Sequence, residues 1–360
     1  MALAKITLQN FRNHAASELA DTAHFNLLVG ENGAGKTNVL EALSLLSPGR
    51  GLRRAALPEL ARQSPADDEA GAFAIGASLI EQGQVSARIG TYTEAGRPTR
   101  RLVRINGADA TASALSEWHA VAWLTPSMDG LFTDSAGARR RFVDRIAFAQ
   151  RVFKPVNQLE NALRERNRLL EDHADARWLD AIEAQAAQHG SVVAANRSRL
   201  IAMLADELSA FPPEPFARPI LTYRPGGPLS PEELLAELAR SRPRDRAAGR
   251  ALTGPHRDEL EVVMMGSGQP AASCSTGEQK AMLIAITLAH GVLASSGRPS
   301  VLLLDEVAAH LDPVRRKALF DRLRAGKAQV WMTGTELAPF AQIESEAAIW
   351  RVADGSLNRL

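Results

Sequence analysis

The chain has 360 residues, enough for about two domains, and its 45% hydrophobic and 23% charged composition is that of a folded rather than a disordered protein. Its 42 basic and 41 acidic residues leave a formal charge of +1, which points to no class of partner, and its one cysteine, Cys274, excludes an intrachain disulfide framework. Met1-Ala2-Leu3-Ala4-Lys5-Ile6 has no signal-peptide core and no run approaches ~18 apolar residues, so a cytoplasmic protein with no membrane span is expected.

Lys5–Leu8 reads as a strand, followed by a turn-like Asn10-Phe11-Arg12-Asn13-His14. Phe25–Val29 is a second strand and ends in a glycine cluster from Gly30 to Gly35. The helix after it carries Val39, Leu40, Leu43 and Leu46 at helical spacing and stops at Pro48-Gly49. Residues 72–106 alternate as antiparallel strands closed by Asn106-Gly107, and Val121–Leu124 is a short buried strand. From about Gly137 to Glu207 the pattern is helical, with a break near His173–Asp175. Phe142, Ile146, Val152, Val156, Leu159, Leu163 and Leu170 mark one limb. Leu179, Ile182, Val192, Val193, Leu200 and Leu204 mark the other. This spacing predicts an antiparallel hairpin of two helices of about 30 residues, about 45 Å long. Phe211-Pro212-Pro213-Glu214-Pro215 ends it, and 228–250 add a short helix and a linker. Strand Leu260–Met264, a helix from Gly277 to about Leu293, strand Val301–Leu304, helix 313–324 and strand Gln329–Met332 follow. Continuous apolar strands between helices imply a parallel sheet covered on both faces.

Gly30-Glu31-Asn32-Gly33-Ala34-Gly35-Lys36-Thr37 fits G-x-x-x-x-G-K-[ST] between a strand and a helix, the context that a phosphate loop requires. Its backbone N–H groups would surround the β- and γ-phosphates of ATP, with Lys36 on their oxygens and Thr37 on Mg²⁺. A glycine-rich turn with a chance Lys-Thr is the bland alternative, and the flanking elements disfavour it. Leu302-Leu303-Leu304-Asp305-Glu306 delivers two carboxylates to a strand's C-terminal edge, where open α/β sheets bind ligands. Asp305 suits Mg²⁺ and Glu306 suits polarising the attacking water. The third element is Ser273-Cys274-Ser275-Thr276-Gly277-Glu278-Gln279-Lys280, which opens a helix. Ser275 and Glu278 can form a capping box whatever the function, and the same helix N-terminus can also take a γ-phosphate.

These parts, with His310-Leu311-Asp312 after Glu306, resemble an ABC-type ATPase head, in which one subunit's signature completes the ATP site of the other. Thr37 and Asp305 are 268 residues apart, wider than in a compact transporter ATPase, and a helical insertion separates them as in the SMC group. The hairpin is too short for a long coiled coil. Leu8-Gln9-Asn10-Phe11-Arg12-Asn13-His14, Arg139-Arg140-Arg141-Phe142-Val143-Asp144 and Leu252-Thr253-Gly254-Pro255-His256-Arg257-Asp258, with the motifs above, resemble the RecF family from residue 8 to about 312.

The fold class the resemblance implies is α/β. It is an ABC-type ATPase head, with a parallel core sheet and an antiparallel β subdomain, plus a short antiparallel helical-hairpin arm. Expected domains are 1–136, the first part of the head; 137–250, the arm; and 251–360, the second part of the head. Nucleotide contacts are expected from Arg12, Gly30, Glu31, Asn32, Gly33, Ala34, Gly35, Lys36, Thr37, Asn38, Ser275, Gly277 and Glu278, metal contacts from Thr37 and Asp305, and catalysis from Glu306 and Lys36. The usual coupling glutamine is not evident, and Asp129 is its substitute. Thr333 and Thr335 stand where transporter ATPases place a switch histidine, so slow hydrolysis is expected.

Arginine outnumbers lysine 36 to 6, a bias that a GC-rich coding sequence would also give. The clusters carry more information: Arg50, Arg53 and Arg54; Arg97, Arg100, Arg101 and Arg104; Arg139–Arg141; and Arg240 through Arg250. Each taken singly reads more simply as a solvated face. The resemblance implies sequence-independent DNA binding, at duplex next to a gap, with Arg50, Arg53, Arg54, Arg100, Arg101, Arg139 and Arg140 as contacts. It also implies an ATP-dependent homodimer acting with RecR-type and RecO-type mediators and a RecA-type recombinase. A transporter-type ATPase subunit would want a coupling glutamine, a switch histidine and no hairpin. An OLD-type nuclease would need an appended acidic metal-binding domain, for which the segment after Asp305 is short.

Overall fold

The computed structural model describes residues 2–62, 71–81, 84–148, 154–212, 214–295 and 298–360. The chain forms two compact units, Met1–Met128 with Thr287–Leu360, and Asp129–Ile286.

The first unit holds two six-stranded sheets. One contains β1 (Ala2–Phe11), β2 (His14–Leu19), β4 (Ala74–Glu81), β5 (Gln84–Glu94), β6 (Arg97–Ile105) and β7 (Ala108–Ala110), in spatial order β2-β1-β4-β5-β6-β7 and antiparallel throughout. β5 alternates: Ala87, Ile89, Thr91 and Thr93 are buried while Ser86, Arg88 and Glu94 are not, as a sheet with one covered face requires. The other sheet contains β3 (Phe25–Val29), β8 (Ala120–Leu124), β11 (Ser300–Leu304), β12 (Gln329–Gly334), β13 (Ala347–Ala353) and β14 (Ser356–Arg359), in order β14-β13-β3-β12-β11-β8. Only its edge pair β13–β14 is antiparallel. β3, β11 and β12 are buried at every position, which is why they read as unbroken apolar runs.

Helix α1 (Lys36–Ser44) packs against β8 and β12 of the parallel sheet and β1 of the antiparallel one. Val39, Leu40 and Leu43 form one core with Ile6 and Leu8, Val301 and Leu303, and the stacked Trp331 and Trp350 rings. Leu302 and Leu304 therefore face the other side of the sheet. Two one-turn helices, α2 (Leu57–Leu60) and α3 (Leu115–Trp118), and α9 (Pro313–Ala325) complete this unit. The sequence pattern predicts a turn where β2 begins and no strand at β7, at Pro219–Arg224 or after Met332, so those strands are additions of the structure.

In the second unit α4 (Ala136–Phe148) packs on α6 (Ala176–Ser209) and on β10 (Glu259–Met264), which pairs antiparallel with β9 (Pro219–Arg224). α5 (Lys154–Glu171) pairs with α6, and α7 (Pro231–Ala247) lies against both. Of the predicted first limb the described residues hold α4 and α5, and α5 forms an antiparallel hairpin with α6. Its core of Leu159, Leu163, Ala186, Val193 and Leu238 is filled from three helices rather than two. Val152 and Pro213 lie outside the described residues. Val192 faces outward, 37% exposed. Helix α8 (Thr276–Ser295) begins in this unit and ends in the first.

Candidate nucleotide site and arginine clusters

The β3 strand ends at Val29, and the loop that follows is shaped by close contacts. A Cβ on Gly30 would sit 2.1 Å from the Val352 carbonyl oxygen, so no other residue fits. Gly35 caps α1 at φ +114, a conformation open to glycine, with the Asn13 side chain against it. Asn13 donates to the Ala34 carbonyl at 2.9 Å, and Gly355 N–H donates to the same oxygen at 3.1 Å. His14, fully buried, sets its Nε2 3.3 Å from the Gly35 carbonyl and its Nδ1 3.0 Å from Ser17 Oγ. Burial pushes the His14 pKa down. The loop is therefore held from behind by the β1–β2 turn and the β13–β14 turn, while Glu31, Asn32 and Gly33 are exposed at its crown.

Lys36 Nζ donates to the carbonyls of Gly30, at 2.7 Å, and Glu31, at 2.8 Å. Burial lowers its pKa against the opposing pull of Glu306 and Asp305. Thr37 Oγ1 donates to the Asp305 carboxylate at 3.0 and 3.1 Å, which joins residues 268 apart. Thr333 Oγ1 also donates to Asp305, at 2.7 Å, and accepts the Glu306 N–H at 2.9 Å. Glu306 sits at φ +53, a left-handed conformation that costs a non-glycine residue about 1–2 kcal/mol. Its side chain is half-buried at the end of β11.

In the second unit Ser275 and Glu278 do form a capping box. Ser275 N–H and Oγ–H donate to Glu278 Oε2 at 2.8 and 2.7 Å, and Glu278 N–H reaches Ser275 Oγ at 3.4 Å. Ser275, Thr276 and Gly277 are exposed at this helix start, and Cys274 beneath them is buried, with its thiol pKa raised by burial. Asp129 accepts from Lys280 Nζ, five residues on from Ser275, at 3.1 Å.

The arginines divide sharply. Arg12 grips Glu41 of α1 with Nε and Nη2, at 2.8 and 3.0 Å, and donates to the Glu59 carbonyl. Arg53 donates to Asn38 at 2.7 Å and to Glu41 at 3.3 Å, and Asn38 in turn donates to Asn13 at 2.7 Å. Arg101, expected in an outward cluster, turns inward instead. Its guanidinium donates to Thr91 Oγ1 and to the carbonyls of Leu45, Ser47 and Gly49, so it satisfies the C-terminal end of α1, and burial pushes its pKa down to about 10. Arg139 is also spent internally, bidentate on Glu259 at 2.7 and 3.0 Å, and Arg140 donates to the Asp258 carbonyl. Arg50, Arg54 and Arg100 are exposed and without an ion pair among the described residues.

The RecF/RecN/SMC N terminal domain model matches residues 2–356. The DNA replication and repair protein RecF of Brucella suis biovar 1 is 45% identical over 99% of this chain and 96% of its own length. The chain belongs to the RecF family. The RecF of Caulobacter vibrioides is 42% identical over 100% and 98% of the two chains. Among solved structures, the recombination mediator protein RecF-ATPrS of the RecFOR pathway fits with a TM-score of 0.86 at 22% identity, covering 100% of this chain and 98% of that one. An Smc head domain from Pyrococcus furiosus fits at 0.53 and 16% identity, covering 99% and 95%. At these identities the structural likeness establishes the fold, a RecF-type ATPase head with its helical arm.

Two parts of this RecF-family site escaped the sequence reading. Gly355 follows Asp354 in an Asp-Gly turn after Trp350-Arg351-Val352-Ala353, which alternate buried and exposed, a hairpin signal. His14 and Ser17 carried no such signal, because their link to the loop exists only once β1 and β2 pair. Among the described residues no helix is long and apolar enough to cross a membrane.

Proposed function

We propose that this chain is an ATP-dependent DNA-binding protein of recombinational repair and replication restart. The observation that carries it is the Thr37–Asp305 pair at the mouth of the phosphate loop, which places a hydroxyl and a carboxylate side by side. All their free donors are hard oxygens, the set that Mg²⁺ prefers. A Cβ at Gly33 would meet nothing within 4 Å, so the loop crown is open to a phosphate chain. The residues therefore fit Mg²⁺-ATP. When bound, that pair supplies a cleavable phosphoric anhydride and the charge that polarises it.

Lys36 would exchange its two carbonyls for phosphate oxygens, and Thr37 and Asp305 would hold the metal. Glu306 orients a water and takes its proton. Ser275 and Gly277 present a helix N-terminus to the γ-phosphate in the site of a second copy, so ATP favours a head-to-tail homodimer by its greater affinity for that state. Hydrolysis, slow in this reading, reopens the dimer. Exposed Arg50, Arg54 and Arg100, with half-committed Arg53, supply salt-sensitive contacts to duplex DNA near single-strand gaps. RecR-type and RecO-type mediators are the partners, and loading of a RecA-type recombinase is the outcome, in the cytoplasm.

The test is sedimentation of wild type and Glu306→Gln with ATP, with and without a gapped duplex. An ATP-dependent dimer that co-sediments with DNA, less so as salt rises, is expected. A species indifferent to ATP, or a dimer that never binds DNA, would sink the proposal.

A further inference from the structure

The C-terminal end of β12 holds no histidine, yet the buried hydroxyl of Thr333 there is in contact with both acidic residues of the site. Thr333 is 1% exposed, so it has no free surface to offer a nucleotide. Its hydrogen-bonding capacity is used in two directions: the proton goes to Asp305 Oδ1 at 2.7 Å and a lone pair takes the Glu306 N–H at 2.9 Å. The second bond falls on the residue with the left-handed backbone, φ +53, which a neighbour must hold if it is to persist. The first fixes the carboxylate that Thr37 also holds, so Asp305 is clamped between two hydroxyls from separate elements. Threonine suits this post, because its branched Cβ fits β12 and leaves χ1 little freedom.

We propose that Thr333 is a positioning residue for ATP hydrolysis. It sets the backbone of Glu306 and the rotamer of Asp305 together, and acts through them without touching nucleotide. The inference rests on the ATPase reading above. It assigns to an internal hydroxyl the task of keeping the water-activating carboxylate in register with the metal-holding one. Small displacements of such groups are enough to slow a reaction about 100-fold.

The experiment compares Thr333→Ser and Thr333→Ala, which differ by one hydroxyl, with Thr333→Val as the isosteric control. Single-turnover hydrolysis, the equilibrium binding of a fluorescent ATP analogue, the Mg²⁺ concentration for half-maximal rate, and the melting temperature are measured on the full chain. Serine is expected to keep the wild-type rate within about threefold. Alanine and valine are expected to lower kcat about 100-fold, raise the Mg²⁺ requirement, and leave KM and analogue affinity within about threefold. Should valine fail to fold, the serine–alanine pair decides alone. Alanine hydrolysing as fast as serine overturns the proposal, as does a loss of analogue binding that matches the loss of rate. A wild-type protein that neither binds the analogue nor hydrolyses ATP would instead overturn the ATPase reading itself.

Discussion

The helical unit matches its buried carboxylates with arginine, as the sheet unit does for Glu41, but Asp305 in the sheet unit is matched in another way. In the helical unit Arg166, fully buried, pairs with Glu183 and Asp245 at 2.9 Å each, and Arg242 adds a second cation to Glu183. Arg197 binds Asp144 and Asp258 at 2.7 and 2.9 Å, with Tyr223 donating to Asp258 as well. In the sheet unit Asp305, 6% exposed, is held by two hydroxyls and by no ion pair among the described residues. An acid matched by arginine is finished. One matched by hydroxyls has no cation paired with it, and that is a place a divalent cation can take.

The contrast is broken most forcefully at Arg166. Arg166→Met leaves Glu183 with Arg242 alone and Asp245 with no cation, only the Ser241 hydroxyl and the Leu252 N–H, and is expected to destabilise the protein by about 3–5 kcal/mol in urea unfolding. A loss under about 1 kcal/mol would mean that these remaining partners suffice without Arg166. Asp305→Asn changes a buried acid in the sheet unit with the reverse outcome. Stability should hold within about 0.5 kcal/mol, since the amide still accepts both hydroxyls, while ATP hydrolysis falls about 100-fold. Equal destabilisation by the two substitutions would erase the distinction.

Acid sharpens the contrast without mutation at either carboxylate. Burial, reinforced by Arg298, pushes the His119 pKa down to about 4, from the ordinary histidine value of about 6.5. Below 6.5 the unfolded chain binds a proton that the folded chain refuses until near 4, so stability falls through that window. The loss from His119 alone between pH 7 and pH 5 is about 2 kcal/mol. His14, lowered by burial under the phosphate loop, adds in the same direction. Chemical denaturation at the two pH values checks this, and His119→Leu should flatten the difference.

The smallest effects come from two adjacent arginines. Arg101→Met removes the donors that close the end of α1 and should cost about 1–2 kcal/mol of stability. Arg100→Met should leave stability within about 0.5 kcal/mol and lower the salt dependence of DNA binding by about one unit of slope. If both substitutions act alike, adjacency in sequence was the better guide.

That pair also shows how far the sequence could be read. The phosphate loop, the Asp305-Glu306 strand and the capping box were legible because each is local, its chemistry contained in a few consecutive residues. The parallel strands were legible because full burial leaves an unbroken apolar run. Arg101 was not, because alternation along β6 does not say that its guanidinium reaches the carbonyls of Leu45, Ser47 and Gly49. Thr333 was noticed for its position after a strand, but its two bonds depend on a β11–β12 pairing that no local pattern encodes.

The strap from Gly355 to Ala34 bears on how the protein is made. During synthesis the phosphate loop emerges early, and the acid that faces Thr37 emerges 268 residues later. The Gly355 carbonyl that anchors Ser17 arrives 338 residues after it. Contacts so distant along the chain are the slow ones to form, because their loops must close first. A nascent chain on the ribosome therefore carries a glycine loop braced from the β1–β2 turn alone, with the contacts to Asp305 and Gly355 still to be made.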